Sequence, residues 1–188
     1  MKIFKVKVYD TEESVIASGY PMLTKYEPRE AATTQDWRRA ARLANNDTAS
    51  GHCNFLKGIR VSADILASIK WWIEADRYSH FDIVSSMSTM HKGTSMPLKE
   101  VCPGIPDDML KIIEQAQAKC LDGEIPVAEF VKLLPTGLEY AARISTNYLQ
   151  LKIMYKQRRQ HMLPEWQTFC DWCEELPNRK EFIVPIPL

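Results

Sequence analysis

The segment Gly58 to Ile65, GIRVSADI, sets Ile59, Val61, Ala63 and Ile65 against Arg60, Ser62 and Asp64. That period of two marks a strand with one face buried. It runs straight into LASIKWWIEADRY, where Leu66, Ile69, Trp72 and Ile73 recur at helical spacing and Lys70 can pair with Glu74 at i, i+4. A strand feeding a helix without an intervening turn constrains the fold more than any other feature, because the helix must return over the sheet to cover its apolar face.

Other segments extend the pattern. Lys2 to Tyr9 alternates Phe4, Val6 and Val8 with lysines, as a first strand does. Asp36 is expected to cap a helix from Trp37 to about Leu43. A long helix opens at Asp107 and reaches Leu121, with Leu110, Ile113, Gln117 and Cys120 in register and Gly123 ending it. A shorter helix covers Pro126 to Leu134, and a last one begins at Pro164 and stops at Pro177. Helix exceeds strand, and the strands read lie in the first half, so the class expected is α+β. The 188 residues fit one domain, 1–188, with 178–188 as an extended C-terminal arm.

Charge excludes more than it assigns. The 24 basic and 24 acidic residues cancel, leaving no global attraction to nucleic acid or membrane. The chain contains no uncharged apolar run of about 18 residues, and MKIFKVKVYD interrupts its apolar residues with lysines, unlike a signal peptide. A cytoplasmic location is the expectation. The five cysteines are an odd number in a chain large enough to fold without disulfides. Cys170 and Cys173 form a CxxC, but they share a helix face with Trp166, Phe169 and Leu176, which makes them core residues rather than redox or metal ligands.

The stretch Thr146 to Trp172, TNYLQLKIMYKQRRQHMLPEWQTFCDW, carries the candidate chemistry. Asn147, Leu151, Met154 and Arg158 return to one helix face, which places Asn147 and Arg158 roughly 16 Å apart, the span of a nucleotide. Ile144, Tyr148, Leu151 and Tyr155 form a second, core-facing stripe. The basic end, Lys156, Arg158, Arg159 and His161, suits either the negative pole of a helix or an anion. Ser85, Ser86, Ser88, Thr89 and Thr94 beside His91 and Lys92 fit an anion or ribose pocket, or simple small-residue packing.

Three segments together resemble the flavin-dependent thymidylate synthases, the ThyX family. They are SGHCNF (Ser50 to Phe55), GIRVSADILASIKWW (Gly58 to Trp72), and Leu134-Pro135 through Trp166, in which Asn147 follows Pro135 by twelve residues and Arg158 follows Asn147 by eleven. WWIEADRY, SSMSTMH and LPEWQTFCDW are similar to segments of ThyX-like proteins of phages and their bacterial hosts. The family's Arg-His-Arg loop, with its Asn-Glu pair, is missing after Trp71-Trp72; Arg77, His80, His91 and Lys92 are the available substitutes.

The resemblance implies a ThyX-like fold, FAD contacted by His52 and Asn147, and a pyrimidine deoxynucleotide contacted by Arg158, Lys70, Ser88 and His91. It also implies a homo-oligomer, a tetramer in the family, and an enzyme that transfers a methyl or hydroxymethyl group to C5 of a deoxyuridine nucleotide. A second reading keeps the fold without the catalysis, as a nucleotide sensor or a phage-type binding protein. A third takes KIMYKQRRQH as a nucleic-acid patch, which the zero net charge disfavours.

Overall fold

The computed structural model describes residues 1–184. Its centre is a four-stranded antiparallel sheet of β1 (Lys2–Tyr9), β2 (Arg60–Ser68), β3 (Asp82–Ser86) and β4 (Glu139–Asn147), in the order β1-β2-β4-β3. β2 carries the alternation read from the sequence: Val61, Ala63, Ile65 and Ala67 are buried, while Ser62 and Asp64 are half-exposed on the other face. The strand is longer than the sequence suggested. Leu66 belongs to it rather than to the helix, and α3 (Ile69–Ala75) is capped by Ser68 Oγ, which accepts from Trp71 N. Trp71 and Trp72 then face inward, and Ile73, expected on the core face, is exposed.

β4 is the main departure. Residues 139–147 carry Ala141, Ala142 and Arg143, good helix formers, and the expected helical stripe began at Ile144. The structure instead threads them between β2 and β3, from Arg60 opposite Asn147 to Ser68 opposite Glu139. Ladder bonds on both sides and the burial of Ala142, Ile144 and Thr146 outweigh local propensity. The strands are therefore not confined to the first half, although the α+β class holds.

At Asn147 the chain turns into α8 (Tyr148–Arg158), which covers the buried face of the sheet with Tyr148, Leu151, Met154 and Tyr155. α9 (Pro164–Glu175) packs beside it and inserts Trp166 and Phe169 against Trp71, with ring centroids 5.0 and 5.7 Å from that indole. Trp72 and Phe81 close the cluster at 4.9 and 6.0 Å from Trp71. Tilted and edge-on contacts of this kind add roughly 0.5–1.5 kcal/mol per pair to the burial of the rings. Cys170 and Cys173 are buried in the same layer, and burial raises both thiols, Cys170 to about 11. The CxxC is thus packing.

The remaining helices frame this core. α1 (Thr11–Ala17) packs on α2 (Thr34–Ala44). The cap of α2 is Thr33, not Asp36: Thr33 Oγ1 accepts from Asp36 N, and the Asp36 carboxylate accepts from Thr33 N, a reciprocal capping box. α4 (Thr89–Lys92), α5 (Leu98–Val101), α6 (Asp107–Leu121) and α7 (Val127–Phe130) enclose a second cluster around Phe130 and Leu138. Gly123, at φ 78°, provides the left-handed turn that ends α6. The expected extended arm begins instead as a helical turn, α10 (Arg179–Phe182), whose Phe182 ring lies 6.2 Å from Trp37 and 5.7 Å from Phe55. Residues 185–188 of the arm lie outside the described residues.

Candidate functional site

α8 starts at the Asn147 end of the β2–β4 ladder and runs back along the sheet, delivering Arg158 to the α3 end. There the structure gathers two of the nominated residues, Lys70 and Arg158, on one carboxylate, Glu74, which the sequence paired with Lys70 alone. Glu74 Oε1 meets Lys70 Nζ at 3.0 Å, and Oε2 meets Arg158 at 3.2 Å, Trp166 Nε1 at 2.8 Å and His161 Nε2 at 3.4 Å. Arg158 also donates from Nε to the Tyr78 hydroxyl at 2.8 Å, and its guanidinium lies over the Trp166 and Tyr78 rings at 4.7 and 5.6 Å. Burial pushes the Glu74 carboxyl up, but the bonds from Trp166 and Lys70 and the charge of His161 outweigh it and hold the group below its ordinary range. Arg159, one residue on, turns to Asp171 and Glu174 instead.

The other nominated residues stand elsewhere. Asn147 ends β4 and caps α8, with Oδ1 accepting from Gln150 N at 3.0 Å, so its side chain is not on a shared helix face with Arg158. His52 is exposed in the turn after Gly51, its backbone N–H 3.4 Å from Ser50 Oγ. Ser88 caps α4, and its Oγ bonds His91 Nδ1 at 2.8 Å, so these two residues form a local pair just beyond β3.

β3 leads to a feature the sequence did not assemble. The sheet face opposite α8 is open, and a broad concavity of about 790 Å³ lies on it, lined by Phe4, Lys5, Asp64, Ser85, Ser86 and Arg143 and floored by Ala141 and Ala142. A bulge in β1 between Phe4 and Lys7 places Lys5 at φ 48° and turns it into this basin. Arg143 donates to Asp64 Oδ1 at 3.0 Å, Ser62 Oγ at 2.8 Å and the Lys5 carbonyl at 3.2 Å. The Asp64 carboxyl is lowered by Arg143 and then by Lys5, which leaves the basin one positive charge in excess. Ser85 and Ser86 belong to the hydroxyl run singled out in the sequence. Arg143 was missed because the helical stripe was read from Ile144 onward and 139–143 was assigned to no element, although Arg143 is the one cation between Tyr140 and Ile144.

The solved structures of known function that share this fold supply the comparison. The chain has the fold of flavin-dependent thymidylate synthase ThyX. It superimposes on the Helicobacter pylori enzyme complexed with FAD and dUMP with a TM-score of 0.76 at 15% identity, over 97% of this chain and 98% of that one. A second Helicobacter pylori ThyX structure, also with FAD and dUMP, gives 0.75 at 14% identity, over 96% of each. No family model and no curated protein matches the sequence.

A flavin dinucleotide would need cationic donors converging on its pyrophosphate. Arg77 and His80 precede β3 while His91 and Lys92 follow it, so the two pairs flank opposite ends of a strand of five residues, roughly 15 Å long, and among the described residues no bond or ion pair joins one pair to the other. Arg158 and Lys70 are held by Glu74, and Asn147 spends its acceptor on α8. Within one chain, these residues do not fit that group. Among the described residues there is no cluster of three side chains suited to a metal, and no helix is long and apolar enough to cross a membrane.

Proposed function

We propose that this chain is a pyrimidine deoxynucleotide-binding protein built on the ThyX fold, without flavin-dependent transfer to C5 of the base. The observation that carries the reading is the basin on the open sheet face. Phe4 presents a half-exposed ring for a base, Ser85, opposite Arg143, offers a hydroxyl to the sugar, and Lys5 with Arg143 offers the excess positive charge to a phosphate. Ser88 and His91 follow β3 directly and are the next polar groups a bound nucleotide would meet.

The fold, shared with enzymes seen in complex with FAD and dUMP, supports the ligand class, and the separation of the cations around β3 supports the loss of the flavin. Assembly belongs to the same reading. Phe4, Tyr9, Val84 and Met87 are exposed side chains of the two edge strands and the turn after β3, and a second copy laid against them would wall the basin.

Calorimetric titration with dUMP tests the proposal. The protein binds it, and Phe4→Ala weakens binding at least about fivefold, the loss of one base–aromatic stack. No heat from the unmutated protein overturns the reading, and a flavin absorbance band near about 450 nm in the purified protein restores the enzyme reading instead.

A further inference from the structure

We propose that Glu74 determines what the α3–α8–α9 junction accepts: its carboxylate fills, from within the chain, an anion site made by Lys70, Arg158, His161 and Trp166, and so excludes phosphate-bearing ligands from it. The inference concerns the covered face of the sheet and does not depend on the basin.

A helix ion pair at i, i+4 accounts for Lys70 alone. The other three donors arrive from different elements: Arg158 from the end of α8, His161 from the connector, and Trp166 from the first turn of α9. Guanidinium, ammonium, imidazole and indole N–H converging on one pair of oxygens is the donor set of a phosphate or carboxylate site. Arg158 is held before any ligand arrives, between the Trp166 and Tyr78 rings and by the Tyr78 hydroxyl, so little ordering would be required on binding.

Glu74 is the acceptor these groups share, and its side chain is only 16% exposed. Glu165, adjacent to Trp166, is committed to Ser68 N and Oγ at 2.8 and 2.7 Å and does not compete for the site. The carboxylate therefore has two consequences. It neutralises one of the two fixed cations, and it occupies the volume in front of Arg158. An anion approaching from solvent meets both.

Glu74→Gln removes the charge and, with no ion pair left to Lys70 or Arg158, frees the neutral side chain to swing out of the volume in front of Arg158. The probe is inorganic pyrophosphate, titrated calorimetrically into the parent and into Glu74→Gln. The variant binds it at least about tenfold more tightly than the parent, the scale set by close charge pairs. Lys70→Met, at an exposed position, cancels that gain when added to Glu74→Gln.

Equal affinity in parent and variant overturns the proposal, and so does a gain that survives Lys70→Met, because the anion then sits elsewhere. If Glu74→Gln does not fold, Glu74→Asp draws the carboxylate back by one methylene, and a gain in the same direction is required. A protein that gains pyrophosphate binding through Glu74→Gln yet never binds dUMP keeps this inference and loses the basin reading; the converse result does the opposite.

Discussion

Replacing Asp36 by Ala removes the acceptor that ties the long segment between α1 and α2 to the core. The Asp36 carboxylate accepts from Arg29 at 2.8 and 3.1 Å, Arg39 at 2.6 Å, Thr33 N at 2.8 Å and Thr33 Oγ1 at 2.7 Å. Removing one partner of a buried ion pair costs about 3–5 kcal/mol, because the other charge is left uncompensated. Here the cations recover part of that in water, since the Arg29 and Arg39 side chains are 41% and 22% exposed. The expected loss is therefore about 2–3 kcal/mol, including the broken capping box. With a urea dependence of about 2 kcal/mol per molar, the unfolding midpoint falls by roughly 1–1.5 M.

The pH dependence has a definite sign. Arg29, with Thr33 and Arg39, holds the Asp36 carboxyl well below the usual range against the opposing effect of burial. A group depressed on folding stabilises above its unfolded pKa, about 3.9, and that contribution fades as pH falls below it. The gap between the parent and Asp36→Ala is thus full at pH 6 and narrows below about pH 4. A midpoint shift under about 0.5 M at pH 6, or a gap that widens in acid, refutes the argument.

Asn147→Ala costs about 1 kcal/mol through the lost α8 cap and leaves dUMP affinity unchanged; a selective loss of affinity with stability intact assigns Asn147 to the ligand instead. All five cysteines are buried and free, and burial raises those of α9, so Ellman's reagent at pH 8 titrates them only after denaturation. Tyr148→Phe deletes the 2.7 Å bond from the hydroxyl to the Pro177 carbonyl and lowers stability by about 1–2 kcal/mol, read as a urea midpoint. Light scattering gives a multiple of the 21.7 kDa chain; a clean monomer removes the second copy from the basin.

Local signals were legible where the residues that form an element also bury it. β2 declared itself through strict alternation, and α6 through its register and the glycine that stops it. The ThyX fold was legible from three segments in order, above all the spacings that end at Arg158. β4 was not, because two alanines carry little β preference and its strand character comes from neighbours remote in sequence. The same gap hid the basin: Arg143 acquires its meaning only beside Asp64 and Lys5, which lie on two other strands. Glu74 was passed over because i, i+4 to Lys70 is a sufficient local account, and its partners on α8, the connector and α9 meet it only once the chain has doubled back.

The strand order has a consequence for synthesis. β4 is the inner strand that joins β3 to the rest of the sheet, yet it leaves the ribosome after β1, β2 and β3. Until it emerges, β3 has no strand to pair with and β2 is paired on one side only, with Val61, Ala63, Ile65 and Ala67 uncovered because α8 and α9 follow β4. The nascent chain therefore carries an open apolar edge from the synthesis of β2 until that of β4, the kind of surface chaperones engage and aggregation recruits. Emergence of β4, α8 and α9 closes the sheet, the helical cover and the Trp71 cluster together, through contacts such as Arg60 with Asn147 that span long stretches of sequence. A chain closed by such pairings folds on the slow, millisecond-to-second side of the range for small domains.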